Sequence, residues 1–273
     1  MTRHLLSVRE LAAMIGNGAS VAVPPDYSGC AMGAVRELIR RKVRGLHLIG
    51  VPQAGFQADM LIGAGCVGTV ETAAVTIGEY GPAPRFVAAV KAGTVRVLDS
   101  TCPAIHAGLQ AAEKGIPFMP LRGILGSDLL ARRDDWKVVE NPFGADDPIV
   151  ALPAIRPDVA LFHAATADRF GNVWIGVRRE LMLMAHAARA TVVTVEEIVD
   201  GDLLADERIA AGTIPGLYVT ALATAPMGAR PIGLAERYPA DDGHLRRYVE
   251  LAQTEQGFRR YLDDFVLGEG LPA

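Results

Sequence analysis

Strand-like and helix-like segments alternate along the first 115 residues, and this alternation restricts the possible folds more than any other feature of the sequence. Short runs rich in β-branched residues are each followed by a run with helical spacing. The strands are predicted at 20–23, 46–50, 70–77 and 94–98, and the helices at 8–15, 32–41, 57–62, 84–92 and 104–114. This order predicts an α/β fold with an open, mostly parallel sheet that helices cover on both faces, of the Rossmann-like type.

The alternation stops after Gly115 and resumes only near residue 159. Residues 117–150 show no clear period, and an irregular insertion of that length is usually functional or an interface. The later segments are predicted as strands at 159–163, 191–195 and 217–221, a helix at 180–188, and a helical C-terminal segment at 244–266 that is broken near Gly257. We interpret residues 1–273 as a single domain that carries this insertion.

A glycine-rich stretch allows two interpretations. Gly63, Gly65 and Gly68 spell G-x-G-x-x-G, and Glu79 follows where a dinucleotide site places its ribose-binding acid. That motif requires a strand before the first glycine and a helix after the last. Here helix formers precede Gly63, and the β-branched run 69–77 follows Gly68. The stretch therefore predicts a helix, a glycine turn and a strand, and the dinucleotide site is the weaker alternative.

Composition excludes several classes of function. The net charge of −4, without a basic stripe, argues against nucleic acid and anionic membrane as partners. The N-terminal segment lacks the apolar core of a signal peptide, and no apolar run is long enough to span a membrane. Three cysteines without C-x-x-C spacing argue against a disulfide framework or a zinc site, and we expect no metal and a cytoplasmic location.

Ligands of open parallel sheets bind beyond the carboxyl ends of the strands, so the loops after the strands are the candidate site. Cys102 precedes a predicted helix whose N-terminus can activate a thiol, but His106, one turn later, is no certain partner for it. Glu79 follows a strand and is a candidate acid or base. His163 is interpreted as a hydrogen-bonded core histidine. Glu196 and Glu197 point to opposite faces of a strand and so do not form a metal pair.

Eight stretches, in order from about residue 21 to 199, resemble the alpha subunit of family I CoA-transferases. The resemblance is to the glutaconate CoA-transferase group and the related CoA-ester ring-opening hydrolases. The stretches are Ala34-Val-Arg-Glu37, Asp59-Met-Leu-Ile-Gly-Ala-Gly-Cys-Val67, Val70-Glu-Thr72, Pro117-Phe-Met-Pro120, Leu125-Gly-Ser-Asp128, Arg156-Pro-Asp-Val-Ala160, Ala167-Asp-Arg-Phe-Gly-Asn172 and Val192-Val-Thr-Val-Glu-Glu-Ile-Val199.

The resemblance implies the CoA-transferase fold and a partner chain, the beta subunit, in a hetero-oligomer. In that family the transfer runs through an acyl-glutamyl anhydride and a glutamyl-CoA thioester, and the glutamate belongs to the beta subunit. The partner's Ser-Glu-Asn-Gly signature is absent from this sequence. The resemblance thus predicts half of an enzyme that moves CoA between a small or medium acyl-CoA and a carboxylic acid. CoA is a substrate, no cofactor is tightly bound, and the chain alone is inactive.

The sequence departs from the family in two places. Pro24-Pro25-Asp26 replaces the usual Gly-Gly-Phe of the first ligand loop, which stiffens the backbone and adds a charge. Thr101-Cys102 stands where ring-opening hydrolases carry a Ser-Glu pair. These departures keep two alternatives open, a hydrolase subunit of the same fold and a non-catalytic acyl-CoA-binding or regulatory protein.

Loop position nominates the residues of the site. The substrate-binding candidates are Gly55, Phe56, Gly78, Arg122 and Gly126, with Arg122 as a partner for an acyl carboxylate. The candidates for a catalytic role in this chain are Cys102 and Glu79. The nature of the acyl group stays open.

Overall fold

A ten-stranded sheet forms the centre of the computed structural model, which describes residues 5–235 and 237–268. In chain order the strands are β1 (Leu5–Leu6), β2 (Ser20–Val23), β3 (Leu46–Gly50), β4 (Val67–Thr72), β5 (Arg96–Asp99), β6 (Phe118–Leu121), β7 (Lys137–Glu140), β8 (Pro148–Pro153), β9 (Val159–Asp168), β10 (Val173–Trp174), β11 (Ala190–Val199), β12 (Thr213–Ile214) and β13 (Ala221–Thr224). The strands β6, β7 and β8 belong to a separate, smaller sheet.

The main sheet is parallel along its whole path, β1-β13-β11-β9-β2-β3-β4-β5. The short strand β10 adds an antiparallel pairing to β9, and β12 pairs with β10. All ten residues of β9 are buried, as expected for a central strand that is covered on both faces. The predicted open, mostly parallel sheet is confirmed.

Helices cover both faces of the sheet. They are α1 (Val8–Ala13), α2 (Met32–Arg40), α3 (Phe56–Gly63), α4 (Pro84–Ala92), α5 (Cys102–Glu113), α6 (Arg179–Ala187), α7 (Glu207–Ala210), α8 (Asp242–Leu251) and α9 (Glu255–Leu262). Val21 and Val23 point to one face, where they join the core formed with α1, α2, α3, α8 and α9; Ala22 points to the other, beneath α5 and α6. None of the helices in the described ranges is long and apolar enough to cross a bilayer.

Residues 117–150 are more regular than predicted. β6, β8 and β7 form a three-stranded antiparallel sheet whose inner side chains, among them Val150 and Leu152, pack on α5. The guanidinium of Arg133 is buried and donates to Glu71 of β4 at 2.8 Å, which ties the segment to the main sheet. The prediction failed because these strands are short and proline occurs in both β6 and β8, which weakens a strand pattern.

The glycine-rich stretch folds as a helix, a turn and a strand, since α3 ends at Gly63 and β4 begins at Val67. This confirms the interpretation that opposed a dinucleotide site. The strand predicted at 70–77 starts three residues earlier and ends at Thr72. The strand predicted at 217–221 was misplaced, because residues 216–218 form a 3-10 turn after Pro215 and β13 starts only at Ala221.

The C-terminal helices are anchored to the core by Asp59. Its carboxylate accepts hydrogen bonds from the Tyr248 hydroxyl and from the backbone N–H of Phe86, each at 2.7 Å. The break in this segment lies between α8 and α9, at residues 252–254, and not near Gly257 as predicted. Gly257 is needed for close packing, because a Cβ atom there would lie 2.1 Å from the carbonyl oxygen of Leu251.

Candidate functional site

The winding direction of the main sheet switches between β2 and β9. From β2 the chain continues outward through β3 and β4 to β5, whereas β9, β11 and β13 lie on the other side. β2 and β9 pair only through Val21 with Val159 and Ala22 with Ala160. In an open parallel sheet such a switch point leaves a crevice between the two outgoing loops, where ligands bind.

The loop after β2 is fastened to β9 through Gly29. Residues 26–28 form a 3-10 turn that closes at Gly29, whose φ is +85°. A Cβ atom at this position would lie 2.0 Å from the carbonyl oxygen of His163, so the close approach requires glycine. It allows the N–H of His163 to donate to the Gly29 carbonyl oxygen at 2.8 Å. The loop that carries Asp26 and Tyr27 is thereby held at the crevice.

The carboxyl group of Asp26 lies at the N-terminus of α3. Both of its oxygens are 3.0 Å from the backbone nitrogen of Phe56, which donates to them. Gly55 leaves the necessary space, because a Cβ atom there would lie 2.2 Å from Oδ2 of Asp26. Burial raises the pKa of Asp26 to about 6; the hydrogen bond from Phe56 acts against this, and the nearby charge of Asp59 adds to it. The pKa of Asp26 therefore lies well above that of an ordinary aspartate, and the carboxyl group is mostly ionised above about pH 6.

Two cavities open at the crevice. The first, the Asp26 cavity, measures about 390 Å³ and lies between the loops at 25–27, 53–55, 76–80 and 232–245. The second, the His163 cavity, measures about 420 Å³ and lies between residues 27–29 of the loop after β2, residues 163–165 within β9, and residues 174–181, 208–212 and 234–235. Both are lined by Tyr27, Arg178, Leu234 and Ala235. The two cavities therefore meet along these shared residues.

Arg178 brings a positive charge to the junction of the cavities. Its guanidinium carbon lies 5.4 Å from the centre of the Tyr27 ring, within the range of a cation–π contact. It forms no ion pair with any residue in the described ranges. A guanidinium with free donors at the mouth of a cleft suits a carboxylate or phosphate of a ligand.

A hydrogen-bond network joins His163, which lines the His163 cavity, to Tyr238, which lines the Asp26 cavity. His163 is fully buried, with Nδ1 2.8 Å from the Thr194 hydroxyl and Nε2 2.7 Å from Oε1 of Glu196. The Tyr238 hydroxyl and the backbone N–H of Met227 also donate to Glu196, at 2.6 and 2.7 Å. Burial opposes the ionisation of Glu196, but these hydrogen bonds prevail and lower its pKa to about 2. His163 is the hydrogen-bonded core histidine that the sequence predicted.

The two adjacent glutamates of β11 point apart, as predicted. Glu196 pairs with His163, whereas Glu197 pairs with Arg237.

The structure brings together only part of the predicted site. Gly55 and Gly78 line the Asp26 cavity. The side chain of Phe56 is fully buried and packs edge-on against Tyr248 at 4.7 Å, so only its backbone N–H serves the site. Glu79 is exposed in the turn beside Gly78 and does not line either cavity.

Arg122 and Gly126 lie elsewhere. Arg122 follows β6, is exposed and pairs with Asp147. Gly126 is an exposed turn glycine with a φ of +74°. The small sheet positions this segment over α5, and neither residue lines the cavities, whereas Arg178 lines both.

Cys102 is exposed at the first position of α5, where Thr101 caps the helix by accepting from the N–H of Ala104. Burial raises the pKa of Tyr27, and Cys102 lies close enough for its thiolate form to add to this rise, which places Cys102 near the crevice. Within the part of the chain that the structure describes, no hydrogen bond joins Cys102 to His106 or another histidine. The geometry thus gives Cys102 no base.

Sequence reasoning missed Arg178, Leu234 and Tyr238. Arg178 follows the short hairpin of β9 and β10, which the sequence showed only as a bend at 168–172. Leu234 and Tyr238 reach the crevice from a segment without a periodic pattern, near the cis peptide bond between Arg230 and Pro231. Proline and glycine at 231 and 233 were the only local signals.

The chain is similar to known proteins over most of its length. Residues 6–225 match the model of the family described as Coenzyme A transferase. The chain is 32% identical to the A subunit of 3-oxoadipate CoA-transferase from Pseudomonas knackmussii, over 97% of this chain and 94% of that protein. It is 30% identical to the cholesterol ring-cleaving hydrolase IpdA subunit of Rhodococcus jostii, over 87% and 82%. An uncharacterized protein of Archaeoglobus fulgidus is 33% identical over 87% of this chain, which spans about half (53%) of that protein.

The chain is also similar to solved structures over most of its length. Glutaconate coenzyme A-transferase from Acidaminococcus fermentans superposes with a TM-score of 0.89 at 27% identity, covering 98% of this chain and 90% of that chain. A variant of the decarboxylase AibA/AibB superposes with a TM-score of 0.80 at 31% identity, covering 96% and 98%. With the model match over most of its residues, the chain belongs to the coenzyme A transferase family.

Proposed function

We propose that this chain is the alpha subunit of a two-chain enzyme that moves CoA between an acyl-CoA and a carboxylic acid. The beta subunit supplies the reactive glutamate. The family match supports the proposal, and so does the similarity to the A subunit of 3-oxoadipate CoA-transferase. The main structural observation in its favour is the set of acidic residues at the crevice. Among the described residues that line the two cavities, the only acid is Asp26, whose carboxyl group is engaged by the Phe56 N–H.

The proposed chemistry follows the family mechanism. The carboxylate of the partner's glutamate attacks the thioester carbonyl, and collapse of the tetrahedral intermediate breaks the C–S bond. The CoA thiolate leaves, and an acyl-glutamyl anhydride remains. The thiolate then attacks the glutamyl carbonyl and releases the acyl group as a carboxylate. The same steps in reverse load a second acid, so the activated bond is conserved.

This chain contributes the walls of the reaction chamber. The turns at Gly55 and Gly78 bring backbone close to the Asp26 cavity, where N–H groups can stabilise the oxyanion of the tetrahedral intermediates. The Asp26 cavity accepts the acyl group, and Arg178 contacts an anionic group of acyl-CoA or of the acceptor acid. We further propose a cytoplasmic location, which the three free cysteines favour.

Reconstitution tests this proposal. The chain is purified alone and after co-expression with a CoA-transferase beta subunit that retains its glutamate, and both samples are assayed with acyl-CoA and a carboxylate acceptor. We expect a stable complex that exchanges CoA and an inactive free chain. Turnover by the free chain would contradict the division of labour, and a stable but inactive complex would support a non-catalytic binding or regulatory protein.

A hydrolase subunit is the second candidate, because the IpdA subunit of Rhodococcus jostii is 30% identical to this chain. Acceptor dependence separates the two reactions. Without a second carboxylate, a transferase releases one equivalent of the first acid and stops at the glutamyl-CoA thioester, whereas a hydrolase consumes its CoA ester repeatedly in water. Omitting the acceptor from the reconstituted complex should therefore limit product to one equivalent per complex, and undiminished turnover would establish the hydrolase.

A further inference from the structure

The Asp26 cavity contains a carboxylate that no cation balances. Asp26 forms no ion pair within residues 5–235 and 237–268. Its polar neighbours are the Phe56 N–H and the Cys30 thiol, 3.7 Å from Oδ1, while Asp59 adds a second negative charge nearby. The other ionisable groups that line the cavity are Tyr27, Tyr80, Tyr238 and Arg178.

Most of the remaining wall is apolar. It is formed chiefly by Ala54, Ile77, Ile232, Leu234 and Leu245. A cavity of about 390 Å³ with such a wall suits a hydrocarbon chain of a few carbons. A charged group placed beside Asp26 therefore lies in mostly apolar surroundings, which screen charges less than water does.

Arg178 does not neutralise this carboxylate. Its guanidinium lies over the Tyr27 ring at the junction with the His163 cavity. A cation paired with Asp26 would lower the pKa of the carboxyl group. Burial instead raises it, and Arg178 is not among the causes that act on it. The end of the cavity beside Asp26 is thus negative at neutral pH.

We propose that Asp26 makes the cavity select CoA esters whose acyl chain ends in a neutral group and reject those that end in a second carboxylate. This inference rests on the proposed function, in which the cavity holds the acyl group. It separates this chain from its relatives, because 3-oxoadipate and glutaconate are dicarboxylates.

The test compares pentanoyl-CoA with glutaryl-CoA, which have the same number of acyl carbons and differ in a terminal methyl or carboxylate. The readout is the ratio of their kcat/KM values, measured at pH 7.5 with the reconstituted two-chain complex. Effects common to both esters, including titration of the partner's glutamate, cancel in this ratio. Like-charge repulsion predicts a preference for pentanoyl-CoA of roughly 100-fold in the wild type.

Asp26→Asn removes the charge but retains an oxygen that accepts from the Phe56 N–H, and we expect the preference to fall roughly tenfold or more. Asp26→Ser, which removes the charge and keeps a small polar side chain, serves as the second variant. Asp263→Asn removes the same charge from an exposed position and should leave the ratio unchanged. In the wild type, the preference should also weaken as the pH falls below about 6, where Asp26 becomes protonated.

Equal use of the two esters by the wild type, or a ratio that neither Asp26 variant changes, would overturn the inference while leaving the transferase assignment intact. A preference for glutaryl-CoA that is lost in Arg178→Gln would overturn it as well, because Arg178 would then bind the distal carboxylate. The absence of turnover with either ester would refute the proposed function and the inference together.

Discussion

Asp26→Asn should stabilise the folded chain at neutral pH. The folded state raises the pKa of Asp26 from 3.8 to about 6. A carboxyl group with a raised pKa does not lower the free energy of unfolding below pH 3.8, where it is protonated in both states. As the pH rises from 3.8 through about 6, the group ionises more easily in the unfolded state, so the folded state loses stability. The pKa difference corresponds to about 3 kcal/mol, an upper limit because Asp26 is partly accessible to water.

An amide cannot ionise, so the variant avoids this cost in stability and loses only about 1 kcal/mol through a weaker hydrogen bond from the Phe56 N–H. Urea unfolding of the isolated wild-type, Asp26→Asn and Asp263→Asn chains between pH 4.5 and 8 measures the effect. We expect the advantage of Asp26→Asn to grow from pH 4.5 to pH 7, to reach about 2 kcal/mol and then to level off. A stability difference that does not change with pH would refute the reasoning, and so would an equal gain in Asp263→Asn.

Three further outcomes follow from the structure. Tyr248→Phe leaves Asp59 without its buried hydroxyl donor and should cost about 1–3 kcal/mol in the free energy of unfolding, measured in urea. Glu196 has a lowered pKa, so it contributes to the stability of the folded chain above pH 4.5, and this contribution is lost as the pH falls towards 2. Glu196→Gln should therefore lose less stability than the wild type in this acid range, measured by circular dichroism. Gly55→Ala should displace Asp26 and reduce acyl-CoA turnover by roughly tenfold or more, whereas Gly16→Ala, with nothing within 4 Å, should not.

The sequence was sufficient for most of the main sheet and its helices because these elements depend on local patterns. The strand at 20–23 and the helix that begins at residue 8 were predicted from short-range signals, and the structure contains both. Reciprocal hydrogen bonds between Ser7 and Glu10 cap that helix. The glycine-rich stretch was interpreted correctly because β-branched residues after Gly68 favour a strand over a helix. Each of these signals lies within a few residues of the element that it specifies.

The candidate site was harder to predict because its parts come from distant segments. Gly55 and Gly78 were found from their positions after strands, but Arg178 and Leu234 reach the same crevice from segments about 100 residues or more further along the chain. Arg122 has a guanidinium that can bind a carboxylate, but it follows a strand of the small sheet, pairs with Asp147 and does not line the crevice. No pattern in residues 117–150 revealed that this segment folds into a sheet of its own.

The position of Asp26 links the cost in stability to the proposed selectivity. Asparagine has the same shape and an oxygen that can accept from the Phe56 N–H without burying a charge, so this hydrogen bond alone does not account for a carboxylate. A buried charge that the fold does not require is typical of a functional site, where stability is lost in favour of ligand discrimination. One substitution therefore tests both effects. If Asp26 serves the ligand, Asp26→Asn will be more stable and less selective, whereas a gain in stability without a change in selectivity would leave the carboxylate without a function in the cavity.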